Sequence, residues 1–310
     1  MTHRLASSIL LILQLLIAGN ALAVDQSNPV LKQTLHDRTF WRGVIANSYQ
    51  MPDSTVLASA TLELASYVDE PDPEIRDQFG YEIQRHFLHD TAALSANDLN
   101  ALYDAYLPHV LKGLGEQGTT SVFARSFAML NLKELAAVDL SRPFLTQARF
   151  DDLFGQAELA LRFEQDLRGY DDKHGWAHAT AHAADLLRVL ARNAKLKPAQ
   201  QSRLISAVAQ RARSTSAVFV WGEDARLAGA LMLVLHRSDF ASDAFQSWFD
   251  TLRRDQKQLW QGKFNAQNYF HMRTQANVLT HLSALITRND PANFPANIQA
   301  ELSKILAEIN

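Results

Sequence analysis

The sequence predicts an all-α protein, an irregular α-solenoid or curved α/α array of about twelve helices. Three observations carry that reading. Apolar residues recur at three- and four-residue steps from near residue 28 to the C-terminus, the period of one helix face. No alternation of apolar and polar residues lasts long enough to demand a strand, and the best β-like stretch, Ala217 to Trp221, is too isolated to make a sheet. The breaks are short, carry proline, glycine or capping residues, and separate helix pairs at intervals of about 35 to 45 residues. Nothing reads as a linker, so residues 24–310 are expected to form one domain.

Taken in order, the first helix is read from Asn28 to Tyr49, with Leu31, Leu35, Phe40, Trp41, Val44 and Ile45 on its apolar side. Pro52-Asp53-Ser54 breaks it and caps a second helix through Tyr67. Asp69 to Pro73 is a turn. Pro73 suits the first position of a third helix bearing Ile75, Phe79, Ile83 and Phe87, because its fixed φ matches a helix and no N–H is needed there. Ser95 caps the next, with Leu99, Leu102, Tyr103, Tyr106 and Leu107 facing inward. Lys112 to Ser121, KGLGEQGTTS, lacks the preceding strand and following lysine of a phosphate cradle and reads as a helix-to-helix turn ending on a Thr or Ser cap. The helix beyond it runs to about Ala137 and contains Arg125. After Pro143 a helix starts near Thr146 and carries Phe150, Leu153, Phe154, Leu159, Leu161 and Phe163. Lys197-Pro198 marks a turn, and helices follow at about 198–213, 223–237, 240–258, 266–288 and 296–308, with Asp290-Pro291 between the last two.

Residues 1–23 read as a cleavable secretory signal: His3 and Arg4 are weakly basic, Ile9 to Ala18 is apolar, and Ala21-Leu22-Ala23 is a small-x-small cleavage site. The apolar run is too short for a comfortable membrane span, and no later stretch approaches the roughly 20 apolar residues one requires. The expected location is the periplasm or the exterior. With no cysteine among 310 residues, a lipoprotein anchor, a disulfide scaffold and a thiolate metal site are all excluded. The formal net charge is −3, and about −4 once Arg4 is removed with the signal. That balance gives no electrostatic case for nucleic acid.

Chemistry concentrates between Phe163 and Leu190. His174, His178 and His182 are spaced by four, with Asp185 three residues further on. On one continuous helix these side chains share an arc of roughly 80°. Trp176, Ala179, Ala183, Leu186, Leu187 and Leu190 form an apolar back, while Ala177, Ala181 and Ala184 leave room beside the imidazoles. The His178-x-x-x-His182 spacing lets two imidazoles meet one divalent metal, with Asp185 as third ligand or as the acceptor orienting His182. The glutamate of H-E-x-x-H is missing, since Ala179 occupies its place. Buried, hydrogen-bonded histidines are the competing account.

Just upstream, Glu164, Asp166, Arg168, Tyr170, Asp171 and Asp172 crowd a helix end. Helical spacing pairs Glu164 with Arg168, and an arginine fork can hold a carboxylate or a ligand anion. Gly169 and Gly175 bracket a tight connection, and Asp171 or Asp172 suits the cap of the histidine helix. The cluster reads first as a tie between two helices. Trp221 to Arg226, WGEDAR, opens a later helix, where Glu223 and Asp224 suit the dipole. If that end faces the histidines, either carboxylate is a candidate acid or base. Asn268, Tyr269, His271, Arg273, Gln275 and His281 are a mixture that fits a sugar or peptide groove as well as it fits amphipathic packing. No G-x-S-x-G elbow supports a serine hydrolase.

Glu164-x-Asp166-x-Arg168-Gly169-Tyr170, followed by Gly175-Trp176-Ala177-His178-x-x-Ala181-His182-x-Ala184-Asp185-Leu186-Leu187, resembles the bacterial family called domain of unknown function 2785. Arg76-Asp77, Val122-Phe123-x-Arg125-Ser126-Phe127 and Gly222-Glu223-Asp224-x-Arg226-Leu227 look like its other recurring segments. The resemblance spans most of the chain after residue 23. It implies one all-helical domain and suggests Asp166, Arg168, His178, His182, Asp185, Glu223, Asp224 and Arg226 as shared polar features. It supplies no catalytic roles.

Three functional readings follow. The first is an exported binding or scaffold protein whose concave surface centres on the histidine helix. It takes a small molecule, glycan or protein through Asp166, Arg168, His178, His182, Asp185 and Arg226. The second is a hydrolase-like enzyme acting on cell-envelope material, with a divalent metal on His178, His182 and Asp185 and with Glu223 or Asp224 as general base. The third makes the polar cluster wholly structural.

Overall fold

The computed structural model describes residues 35–52, 55–90, 93–240, 242–261 and 263–309. The signal read in residues 1–23, the first helix before residue 35, and Asp53-Ser54 of the second cap lie outside them. Contacts gather Arg38–Asn310 into one compact unit, which is the one described below.

Twelve α-helices are present among the described residues. They are α1 (Arg38–Ala46), α2 (Leu57–Ala65), α3 (Gln84–Asp90), α4 (Ala96–Tyr106), α5 (Ser121–Ser141) and α6 (Gln147–Phe163). There follow α7 (Ala179–Leu190), α8 (Pro198–Arg213), α9 (Glu223–Leu235), α10 (Asp243–Leu259), α11 (Ala266–Arg288) and α12 (Ala296–Ile309). Helices α5, α7, α9 and α11 pack side by side in that order, and α6, α8, α10 and α12 do the same. The pairs α6/α7, α8/α9 and α10/α11 join the two rows. Among the described residues no helix is long and apolar enough to cross a membrane.

The row explains why α7 is buried all round. It lies between α5 and α9 with α6 behind it, and every residue except Arg188 is buried. Ala181 and Ala184 therefore serve close helix packing, not room beside the histidines as the sequence suggests. Both are fully buried, as is Ala177 just ahead of the helix.

Several caps form as expected. Ser95 and Asp98 make a reciprocal capping box, and Thr146 accepts the Arg149 N–H at 3.3 Å. Lys112–Ser121 is a turn between helices, with Gly113, Gly115 and Gly118 at positive φ.

Three departures bear on the site. The central helix begins at Ala179, so His174 and His178 are not on it. Tyr170–Asp171 (β1) and Gly175–Trp176 (β2) instead pair antiparallel in a hairpin. The cause is local: the Asp171 carboxylate accepts the N–H groups of Lys173 at 3.0 Å and His174 at 2.7 Å, closing a turn that competes with a helix. Gly175 at φ +73° and His178 at φ +56° then hold the backbone outside the right-handed region. Trp176, read as part of the apolar back, sits on this hairpin and is half-exposed. Second, residues Glu74–Ile83 form a π-helix continuous with α3, where the sequence shows only ordinary helical spacing. Third, α1 ends at Ala46 because Ser48 and Tyr49 adopt positive φ.

Candidate functional site

The hairpin is held from several sides. In α5 the side chain of Arg125 is fully buried and forks onto Glu164, Nε to Oε2 at 2.8 Å and Nη2 to Oε1 at 2.9 Å. Its Nη1 also donates to the carbonyls of Lys112 and Gly113 and to Ser121 Oγ. Glu164 accepts the N–H groups of Gln165 and Asp166 in return. The expected Glu164–Arg168 pair does not form, because α6 ends at Phe163 and helical spacing lapses there. Arg168 grips Asp166 and donates to the Thr119 carbonyl, while Asp166 accepts the Gly118 N–H at 2.9 Å. These bonds outweigh the desolvation of Asp166 and hold its carboxyl below the usual range. Arg76, from the π-helix, lies between the Phe123 and Phe127 rings and donates to the His174 carbonyl at 2.6 Å.

The histidines follow from this frame. Ala177 N–H bonds Gly169 O, and His178 N–H bonds Arg168 O, so the chain enters α7 in a fixed direction. The His178 Nε2–H donates to the Trp221 carbonyl at 2.9 Å. In α5 the single Ser126 hydroxyl proton goes to the Ala177 carbonyl, so His182 Nδ1–H donates to Ser126 Oγ at 2.7 Å. Burial lowers the pKa of His178, and that of His182 well below 6.5, which keeps both rings neutral. The lone pairs then reside on His178 Nδ1 and His182 Nε2, in rings whose centroids are 5.6 Å apart.

Aromatic side chains gather over His178, while His182 meets the Phe127 ring behind it. Trp176 stacks on His178 at 5.0 Å, and Trp221 and Tyr170 meet Trp176 edge-to-face at 6.0 and 5.3 Å. Tyr170, Trp176 and Trp221 are 48%, 41% and 43% exposed, so the cluster is a surface feature and not core. Gly169 makes it possible, since a Cβ there would fall inside the Trp221 ring.

The other sequence-derived residues divide. Asp185 is engaged by arginine: its Oδ2 takes Arg226, and its buried Oδ1 lies 4.0 Å from Arg188 with no hydrogen-bond partner among the described residues. His174 bonds Asp171 at 2.9 Å in the hairpin turn. Among the described residues no group of three His, Asp or Glu is arranged to hold a metal ion. Glu223 is brought near His178 through Trp221, whose N–H it accepts at 2.9 Å, and burial raises its pKa. Asp224 accepts the Ala225 N–H and lies 3.7 Å from His281. Buried Arg211 is bonded to the Thr180 hydroxyl at 3.2 Å; desolvation lowers its pKa to about 10, against the opposing charges of Glu164 and Glu223.

Sequence reasoning gives no role to Ser126, Arg76 or the exposed Tyr170/Trp221 pair. A signal existed for the first two: an arginine and a serine inside the apolar helix run Val122–Leu132, and an arginine amid Ile75, Phe79 and Ile83, each need a buried partner.

A family model described as "Protein of unknown function (DUF2785)" matches residues 110–286. No curated protein and no solved structure matches the chain.

Proposed function

The chain belongs to the DUF2785 family, and from that premise we propose that it is a non-catalytic binding scaffold that holds a glycan on the aromatic corner above His178 and His182. The observation that carries this is the meeting of three exposed aromatic rings with two neutral imidazoles. A sugar ring offers an apolar C–H face and hydroxyl donors. The rings suit the first, and the lone pairs of His178 Nδ1 and His182 Nε2 suit the second. Arg226, whose side chain is 45% exposed, adds a donor at the same end of α9.

The pairs behind this surface, Arg125–Glu164 and Asp166–Arg168, are matched internally and serve to fix the hairpin. The hydrolase-like alternative gains nothing from the arrangement, since the Glu223 carboxylate is turned onto a backbone N–H and Asp185 onto Arg226. We further propose that residues 1–23 direct export, which places the scaffold where envelope glycans are met.

Titration of the full chain with chitotriose and with soluble peptidoglycan strands, followed by calorimetry, tests the reading. Trp176→Ala should weaken binding about tenfold, the equivalent of roughly 1.4 kcal/mol, and should leave the melting temperature nearly unchanged because the ring is half-exposed. Equal binding by wild type and variant, or no binding by either, would sink it.

A further inference from the structure

We propose that the open cleft between α8, α10 and α11 is a second binding site, built for a short neutral oligosaccharide. Its volume is about 690 Å³, inside the roughly 300–1,000 Å³ of small-ligand sites. It stands on other residues than the aromatic corner and does not depend on that reading.

The wall selects the ligand class. Ser206 and Gln210 of α8, Ser247 of α10, and Asn268 and Gln275 of α11 line it with hydroxyls and amides, groups that both donate and accept. Vicinal sugar hydroxyls need that double capacity. Gln275 is fully buried and fixed in orientation, its Oε1 accepting from Trp248 Nε1 at 2.9 Å and its Nε2 donating to the His271 carbonyl at 3.2 Å. Such a wall is organised before the ligand arrives. The lining arginine, Arg213, forks onto Asp255, so no free positive charge awaits a phosphate. Ala209, Ala244, Trp248 and Met272 give the wall apolar patches as well, which suit the C–H faces of a sugar, while the hydroxyls and amides between them are unsuited to a lipid. A peptide would look for an unpaired strand edge or deep apolar pockets, and this wall is made of helices whose backbones are internally bonded.

A separate observation points the same way. Trp260, Phe264 and Tyr269 form an exposed aromatic cluster on the α10–α11 connection, with ring centroids 6.3 and 5.9 Å apart. In the chain they flank the cavity: Trp260 lies two residues past lining Gln258, and Tyr269 follows lining Asn268. Polar side chains line the cleft, and the chain that leaves it at Gln258 and returns to it at Asn268 carries exposed aromatic faces on which a sugar ring can stack.

The test is calorimetric titration of the full chain with cellobiose, maltose and N,N′-diacetylchitobiose, beside trialanine and glucose 6-phosphate. The chain is wild type, Trp176→Ala, in which the aromatic corner is weakened, or Trp176→Ala combined with Ser247→Trp or with Asn268→Ala. Ser247 is exposed on α10, so a tryptophan there fills the cavity without entering the core. The inference predicts that the Trp176→Ala chain still gives heat with at least one neutral disaccharide, and that adding Ser247→Trp removes this heat while adding Asn268→Ala weakens it about tenfold. Heat in the Trp176→Ala chain that Ser247→Trp leaves undiminished overturns it, as does heat there with trialanine or glucose 6-phosphate alone, or with none of the five. Heat present in wild type and lost in Trp176→Ala would overturn this inference while supporting the aromatic corner.

Discussion

Replacing Glu164 by leucine should be among the most damaging single changes in the chain. The substitution removes a carboxylate whose side chain is 1% exposed and strands an arginine whose side chain is 0% exposed. Breaking a buried pair from one side costs about 3–5 kcal/mol, because the remaining charge is left uncompensated. Two backbone N–H groups, Gln165 and Asp166, lose their acceptor as well, so the upper part of that range applies. For a chain of this size roughly 2–4 °C is lost per kcal/mol, so about 4–5 kcal/mol gives a fall of about 8–20 °C. Glu164→Gln keeps an oxygen for the backbone donors and should cost less. The double variant Arg125→Met/Glu164→Leu removes the stranded charge and should recover part of the loss. Recovery stays incomplete because Lys112 O and Gly113 O then lack the donor Arg125 supplied. Scanning calorimetry of wild type, Glu164→Leu, Glu164→Gln, Arg125→Met and the double variant reads all of this. A fall under 2 °C for Glu164→Leu, or a double variant whose loss equals the sum of the singles, would refute the reasoning.

Other expectations are equally checkable. His182 is neutral when folded and has a pKa near 6.5 unfolded, so the unfolded state binds the extra proton. Stability is therefore complete above about pH 6.5 and falls below it, by up to about 1.4 kcal/mol per pH unit for this ring. Urea melts between pH 7.5 and 5 should show a shallower fall for His182→Asn, whose amide can still donate to Ser126; an unchanged slope contradicts the assignment. Gly169→Ala forces Trp221 from its place, at a cost of about 1–3 kcal/mol, and should also weaken glycan binding; a neutral effect on both would show that the contact is dispensable. Arg226→Ala leaves the buried Asp185 carboxylate without its Oδ2 partner and should lower the melting temperature by several degrees, whereas loss of binding at constant stability would mark Arg226 as purely a ligand contact.

The helices were legible because their causes are local. Ser95, Thr146 and Pro198 mark starts that the structure keeps, and the three- and four-residue apolar steps hold through α11. The sequence singled out both polar segments, 164–182 and 221–226, and left open whether they meet; they do so at Trp221, through a contact between distant parts of the chain that no local pattern encodes. What failed was the geometry within the convergence. A two-residue strand leaves no alternation to read, and the four-residue spacing of His174, His178 and His182 mimics a helix that the Asp171 turn prevents. The π-helix differs from an α-helix by one residue per turn, too little for ten residues to reveal. The cavity was half legible: Asn268, His271 and Gln275 stood out as a polar cluster, while Ser206 and Ser247 look like any solvated helix face until α8 and α10 are brought together.

The chain has five tryptophans, and their indole N–H resonances give one spectrum that reads the account directly. In ¹⁵N-labelled full-length protein titrated with chitotriose, the signals of Trp176 and Trp221 should move together and saturably, while that of Trp41, on the buried side of α1, stays fixed. Movement of neither Trp176 nor Trp221, with the protein folded and the sugar at millimolar concentration, would contradict the glycan-binding scaffold.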